Sequence, residues 1–257
     1  MDQRKSPFNL IGKNIIVTGA SSGIGRQCAI SCSMMGANVI LFGRNPDRLN
    51  DTLNCMDNIS NHLVYSVDLR EYNKVEELIK EIVFQKGKMH GLVNCAGISN
   101  TLPLKMITPD KMDDFFHNNV LGSINITKFV TKQSSFSEEG GSVIFISSVM
   151  GTVGESGKTL YGLTKGALIA ASKSIAIELA NKKIRVNCIS PGVVETPLSQ
   201  KAVYSQNEES LTKIKNYHPL GLGQTDDVAN ACVFLLSDAS KWITGINLFV
   251  DGGYSAR

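Results

Sequence analysis

Asn14-Ile15-Ile16-Val17-Thr18 runs straight into Gly19-Ala20-Ser21-Ser22-Gly23-Ile24-Gly25, and an apolar-periodic segment follows to about Met35. The β-branched run predicts a short buried strand, the glycines a tight turn, and the periodic segment a helix. Strand, glycine turn and helix together make a phosphate cradle. Glycine lets the backbone approach a pyrophosphate, and the free N–H groups of the first helical turn face it with positive partial charge. The spacing is Gly-x-x-x-Gly-x-Gly rather than the commoner Gly-x-Gly-x-x-Gly, and taken alone the same glycines would also serve a plain tight turn.

The alternation continues outward from this unit. Strands are expected over Val39–Phe42, His62–Val67, His90–Asn94, Gly141–Ser147, Ile184–Ser190 and Ile246–Val250. Helices are expected over Asp47–Met56, Glu71–Gln85, Pro109–Phe136, Lys158–Asn181 and Thr225–Leu236. Short connections between strand and helix imply a parallel sheet of about seven strands with helices on both faces, a three-layer doubly wound α/β fold of the Rossmann type. There is no interdomain linker and no repeat of 20–50 residues, so residues 1–257 read as one domain. Pro197–Pro219 is polar, irregular and bounded by prolines, and is expected to form a lid.

In such a sheet, ligands bind at the carboxyl ends of the strands. Gly19–Gly25, Arg44, Asp68, Ala96, Ser148 and Pro191–Thr196 all fall at such ends. At the end of the second strand, a carboxylate would hold the adenosine ribose of NAD. This chain has Phe42-Gly43-Arg44 instead, and a guanidinium suits a 2′-phosphate, so NADP(H) is preferred and NAD(H) is the second choice. Asp68 would accept from the adenine amino group, or cap the helix after it. Cys95-Ala96-Gly97 is small enough for a backbone to lie against a ligand. Asn119, inside an apolar helix face, needs a partner, a water or a kink to justify its burial.

Ser148 closes an apolar strand, and Tyr161 and Lys165 follow four residues apart. On a helix that spacing places both on one face, pointing into one cleft. At about 4 Å and an effective dielectric near 20, an ammonium would lower a phenol by roughly 3 pKa units, toward the range where general acids work. The pair alone is expected by chance roughly 0.4 times in a chain of this composition, and it takes its weight from Ser148 and the strand ends around it.

Composition bounds the remaining classes. The chain has 257 residues, 42% hydrophobic and 19% charged, with a net charge of +3. That small, dispersed charge gives no nucleic-acid patch. Met1–Lys13 lacks the apolar core of a secretion signal, and no apolar run reaches membrane-spanning length. The six cysteines form no Cys-x-x-Cys, which suits reduced thiols in a cytoplasm, and the isolated histidines offer no metal set.

The chain resembles the short-chain dehydrogenase/reductases of the single-domain type. The resemblance covers nearly all of it and is carried by Thr18-Gly19-x-x-x-Gly23-x-Gly25, Asp68, Asn94-Cys95-Ala96-Gly97, Asn119, Ser148, Tyr161-x-x-x-Lys165, Pro191-Gly192 and Thr196. It implies a catalytic tetrad of Asn119, Ser148, Tyr161 and Lys165. Tyr161 would donate the proton and Ser148 orient the carbonyl. Lys165 would lower the phenol and hold the nicotinamide ribose, and Asn119 would hold a relay water. Cofactor contacts are implied for Gly19, Ser21, Ser22, Gly23, Ile24, Gly25, Arg44, Asp68, Leu69, Asn94, Ala96, Gly97, Tyr161, Lys165, Pro191, Gly192, Val194 and Thr196, with Asn45 as a possible helper of Arg44. Val194 and Thr196 would meet the carboxamide. Substrate contacts are implied for Ser148, Met150, Val153, Tyr161, Gly192, Leu198 and Tyr204.

The likeness is greatest to 3-oxoacyl-[acyl-carrier-protein] reductases. A small-molecule ketone or alcohol is the expected substrate, with acyl carrier protein as a candidate partner. Lys182-Lys183 would attract an acidic carrier and Glu138-Glu139 repel it. Alcohol, sugar or steroid dehydrogenation is the alternative activity, and a non-catalytic dinucleotide-binding regulator the alternative class. A homotetramer is implied, paired through Pro109–Phe136 and Lys158–Asn181 on one axis and the C-terminal helix and strand on another.

Overall fold

The structure, a computed structural model, describes residues 6–200 and 207–256. Strand β1 (Asn14–Thr18) is buried along its whole length. A strand flanked on both sides and covered on both faces must be apolar throughout, which accounts for its unbroken β-branched run. It pairs in parallel with β2 (Asn38–Gly43) on one side and β4 (Gly91–Asn94) on the other. With β3 (Leu63–Ser66), β5 (Gly141–Ile146), β6 (Ile184–Pro191) and β7 (Asn247–Val250), the sheet has the order β3-β2-β1-β4-β5-β6-β7. The strand order reverses between β1 and β4, and a crevice opens there at the carboxyl ends.

The pleat divides the core in two. Ile15, Val17, Val39 and Leu41 face a layer that includes α1 (Gly23–Met34), α2 (Pro46–Leu53) and α9 (Thr225–Leu236). Ile16, Ile40 and Phe42 face α3 (Tyr72–Lys86), α5 (Gly122–Val130) and α6 (Thr159–Leu179). Alternate residues of one strand thus serve opposite layers, as a three-layer sandwich demands.

The starting edge of the strands is closed by side chains. Asn14 Nδ2 donates to the carbonyls of Lys86 (2.7 Å) and Lys88 (3.1 Å), and its Oδ1 accepts from Asn38 (3.0 Å). His90 Nδ1 accepts from Asn14 N (3.1 Å), and His62 Nδ1 accepts from Val39 N (3.0 Å).

Two elements differ from expectation. The long helix expected over Pro109–Phe136 is α4 (Pro109–Phe116), a π turn (His117–Leu121) and α5, ending at Val130. One extra residue in the turn breaks the i→i−4 ladder, at the point where Asn119 is tied to another segment. The expected irregular lid contains α7 (Pro197–Gln200) and α8 (Glu208–Asn216). Asn207 caps α8, with Glu208 and Glu209 in its first turn and Lys213 and Lys215 in its last. Those charges complement the helix dipole.

Candidate active site

The strand ends marked in the sequence meet in one cleft. Its lining includes the glycine turn, Arg44, Asp68, Leu69, Ala96, Gly97, Ser148, Met150, Tyr161, Lys165, Pro191, Gly192, Val194, Thr196 and Leu198. Thr18 builds its floor. The Oγ1 of Thr18 accepts from the backbone N–H groups of Cys95 (3.0 Å) and Ala96 (3.1 Å), locking the glycine turn to the end of β4.

The turn fits a dinucleotide pyrophosphate. Gly19 has φ +68°, and a Cβ there would lie 2.9 Å from Ala96 N; a Cβ on Gly25 would overlap the Gly19 carbonyl. Ser22 precedes α1 in an extended conformation and makes no side-chain cap, and no acid occupies the first helical turn. The N–H groups at this end are therefore left for an anionic ligand. Thr196 closes in from the other wall, its Cγ2 standing 3.4 Å from where a Gly23 Cβ would be.

At the adenine end Arg44 is exposed on the rim. Asn45, expected to assist it, caps α2 by accepting from Arg48 N (2.9 Å). Asp68 does not cap α3, which begins after Glu71; its Oδ1 accepts from Arg70 N at 3.0 Å instead. Its carboxylate is gripped by Arg70, with Nη2 to Oδ2 at 2.7 Å and Nε to both oxygens at 3.1 Å. The guanidinium holds Asp68 below the usual carboxylate range. Arg70 also lines the cleft and has no counterpart in the sequence reading; a cation two residues after a candidate acid was the available signal.

At the catalytic end, Lys165 Nζ donates to the Ile146 carbonyl (2.7 Å) and lies 5.6 Å from the centre of the Tyr161 ring. Burial brings the amine down to about 8, so it is still mainly an ammonium at neutral pH. Ser147 Oγ donates to the Lys165 carbonyl (2.8 Å), fixing α6 to the end of β5. The next residue, Ser148, accepts from Met150 N (3.2 Å). That bond leaves the Ser148 hydroxyl proton available beside the phenol.

Three expected positions stand elsewhere. Asn119 is fully buried behind the lining. Its Oδ1 accepts from Ile98 N (2.7 Å), and its Nδ2 donates to the Ile98 carbonyl and Thr164 Oγ1, both at 3.0 Å. The side-chain amide is thus taken up by positioning Ile98 and Thr164. A Gly97 Cβ would lie 3.0 Å from Asn119 Oδ1 and 3.6 Å from Lys165 Nζ, so the amide braces the wall beside the ammonium. Asn94 turns away from the cleft, donating to Thr127 Oγ1 of α5 (3.0 Å). Val153 is exposed outside the lining. Tyr204 lies outside the described residues.

His218 was not singled out in the sequence. It is buried, its Nε2 accepts from Val193 N (3.0 Å), and its Nδ1 lies 2.8 Å from the Ile214 carbonyl. That pattern assigns the proton to Nδ1. The ring thereby joins α8 to the Pro191–Val194 wall.

A doubly wound sheet whose switch-point crevice holds a glycine turn, a serine, a tyrosine and a buried ammonium defines a dinucleotide-dependent oxidoreductase. The family described as "Enoyl-(Acyl carrier protein) reductase" matches residues 19–255. The 3-oxoacyl-[acyl-carrier-protein] reductase FabG of Thermotoga maritima is 32% identical over 96% of this chain and 99% of that protein. A short-chain type dehydrogenase/reductase from Mycobacterium ulcerans superimposes with a TM-score of 0.90 at 30% identity, over 97% of this chain and 92% of that one. A structure of ElxO with NADP bound gives 0.86 at 31% identity, over 95% and 99%. The chain belongs to the short-chain dehydrogenase/reductase family.

Proposed function

We propose that the protein is an NADPH-dependent reductase that converts a ketone to a secondary alcohol, or runs the reverse, with 3-oxoacyl thioesters as the leading substrates. The observation that carries this reading is the placing of Ser148, Tyr161 and Lys165 around one end of a cleft whose other end is the glycine turn. The dinucleotide, when bound, supplies or accepts the hydride. Gly19–Gly25 and the start of α1 would take the pyrophosphate, Arg44 the 2′-phosphate, and Val194 and Thr196 the carboxamide. Ser148 donates to the substrate oxygen, and Tyr161 passes a proton to the same oxygen. Lys165 favours the phenolate that remains, and Asn119 keeps Ile98 and α6 in place. ElxO is described with NADP bound, which supports NADP(H) here, NAD(H) being the poorer ligand.

The test follows NADPH consumption with acetoacetyl and crotonyl thioesters and a panel of alcohols, sugars and steroids. Reduction of acetoacetyl but not crotonyl thioester supports the carbonyl reading, since only the former has a ketone carbon to take hydride and become an alcohol, whereas the latter takes it at an alkene carbon. Preference for another ketone class would move the activity within the family. Turnover that survives Tyr161→Phe would remove the mechanism.

Residues 1–257 are proposed to act as one cytoplasmic domain, with 197–219 as its lid. Among the described residues no helix is long and apolar enough to cross a membrane. A carrier-protein partner draws no support from Lys182-Lys183. At 1.5 Å per residue along α6 and the turn after it, that pair stands about 30 Å from Tyr161, at the starting edge of the sheet. Glu138 there is already paired with Lys88 at 2.9 Å. The homotetramer is proposed from exposed Leu163 and Ile177 on α6, and from Trp242 and Phe249 near β7. Light scattering that finds a monomer at micromolar concentration would reject it.

A further inference from the structure

Lys158 occupies the N-cap position of α6, three residues before Tyr161, without capping it, and lines the cleft. Its ammonium is half-buried and, among the described residues, donates to one neutral acceptor, Thr101 Oγ1, at 2.9 Å. Among the described residues no carboxylate comes within ion-pairing distance of it. Glu155, on the same rim, is exposed and out of that range. The amine is held in place: Leu102 N donates to the Gly157 carbonyl at 2.7 Å, and a Cβ on Gly157 would lie 2.7 Å from Thr101 Cγ2. Leu102 and Leu160, neighbours in sequence of Thr101 and Thr159, join Phe115 in a small apolar cluster against which Tyr161 packs. Removing a cation from water without a counter-ion is unfavourable. Burial accordingly lowers the amine from its usual value, and the more distant charge of Glu155 offsets only part of that.

We propose that Lys158 sets the substrate class of this cleft by receiving an oxyanion carried by the substrate, a carboxylate within a few bonds of the reacting carbonyl. The inference rests on the carbonyl-reductase reading and narrows it. The short separation follows from the chain: Lys158 stands at the N-cap position of α6, three residues before Tyr161, and both line the same cleft. A phosphate on a pantetheine arm offers the same chemistry from a greater distance, and the experiment separates the two sources.

Three 3-oxobutanoyl substrates are compared in the wild type, Lys158→Met, Lys158→Arg and Thr101→Val: free acetoacetate, acetoacetyl-coenzyme A, and the uncharged acetoacetyl-N-acetylcysteamine. The quantity read is the ratio of kcat/KM for each anion-bearing substrate to that for the uncharged one. Lys158→Met is expected to lower the acetoacetate ratio at least tenfold, through KM, with Lys158→Arg restoring part of it. Thr101→Val, which keeps the cation and removes only its hydroxyl partner, is expected to hold that ratio within about twofold. A fall confined to the coenzyme A ratio overturns the carboxylate assignment in favour of the pantetheine phosphate. Unchanged ratios in Lys158→Met, or an equal fall in Thr101→Val, overturn the proposal. In a second measurement, acetoacetate and inorganic phosphate are titrated separately into the NADP+ complex, with thermal unfolding as the readout. Stabilisation by acetoacetate in the wild type that disappears in Lys158→Met supports the proposal, and no difference between the two proteins overturns it. If the wild type reduces none of the three substrates, the carbonyl-reductase reading has failed, and the titration still decides whether Lys158 receives an anion.

Discussion

The two edges of the sheet treat polar side chains in opposite ways. Where the strands begin, Asn14, Asn38, His62 and His90 satisfy the backbone and one another. Where they end, the first turn of α1 has no side-chain cap, Ser148 keeps a proton to donate, and Arg44 projects over the rim. One edge uses its hydrogen-bonding capacity to hold the fold together. The other keeps that capacity for a ligand. Substitutions at the first should cost stability with little loss of chemistry, and those at the second the reverse.

Tyr161→Phe is the most severe test. It should reduce kcat by about 10²–10⁴-fold, the usual contribution of a general acid, while the urea midpoint stays with the wild type; a parallel loss of stability would merge the two edges. Asn14→Ala reverses the pattern. It strands two carbonyls and an amide, and should cost about 2–3 kcal/mol in urea unfolding, with kcat/KM per folded molecule unchanged.

Lys165 tests whether the ligand edge is kept at the expense of stability. Its amine is brought down to about 8 in the folded chain and titrates near 10.4 when unfolded. The charged form is thus disfavoured by folding, so the penalty is fully present below about 8 and fades as pH rises toward the unfolded value. Without cofactor, Lys165→Met should be more stable than the wild type at pH 7, by at most about 3 kcal/mol. The gap should narrow by pH 10, while Lys165→Met loses activity at every pH. A constant gap would show that the amine carries no such penalty. Arg44→Ala has the smallest expected effect: the NADPH-to-NADH ratio of kcat/KM should fall about tenfold, the worth of one charge-assisted contact. An unchanged ratio would pass the 2′-phosphate to Arg70.

The features legible in the sequence were those with a period. β1 and its glycine turn, the alternation after it, and the Tyr161–Lys165 spacing follow from rules that act over a few residues. What escaped depends on partners far along the chain. Asn119 is committed to Ile98 and Thr164, Asn94 to Thr127, and His218 to Val193 and Ile214. No local pattern reports such pairings. The place of Lys182-Lys183 is hidden for the same reason: its charge is plain in sequence, but it is α6 that carries it to the opposite edge. Within α8, by contrast, Asn207 and the graded charges were a local signal that proline-bounded polarity masked.

The π turn at His117–Leu121 has a consequence for insertions and deletions. It lodges one surplus residue in an otherwise regular rod, so shortening the segment by one residue would restore an ordinary helix. Each residue of an α-helix occupies about 100° of arc, and the deletion would therefore swing α5 about its axis relative to α4. Val120 and the Asn119 clamp would leave their seats while the hydrogen-bond ladder improved. A chain trimmed in this way would gain helical regularity and lose the brace behind its ammonium.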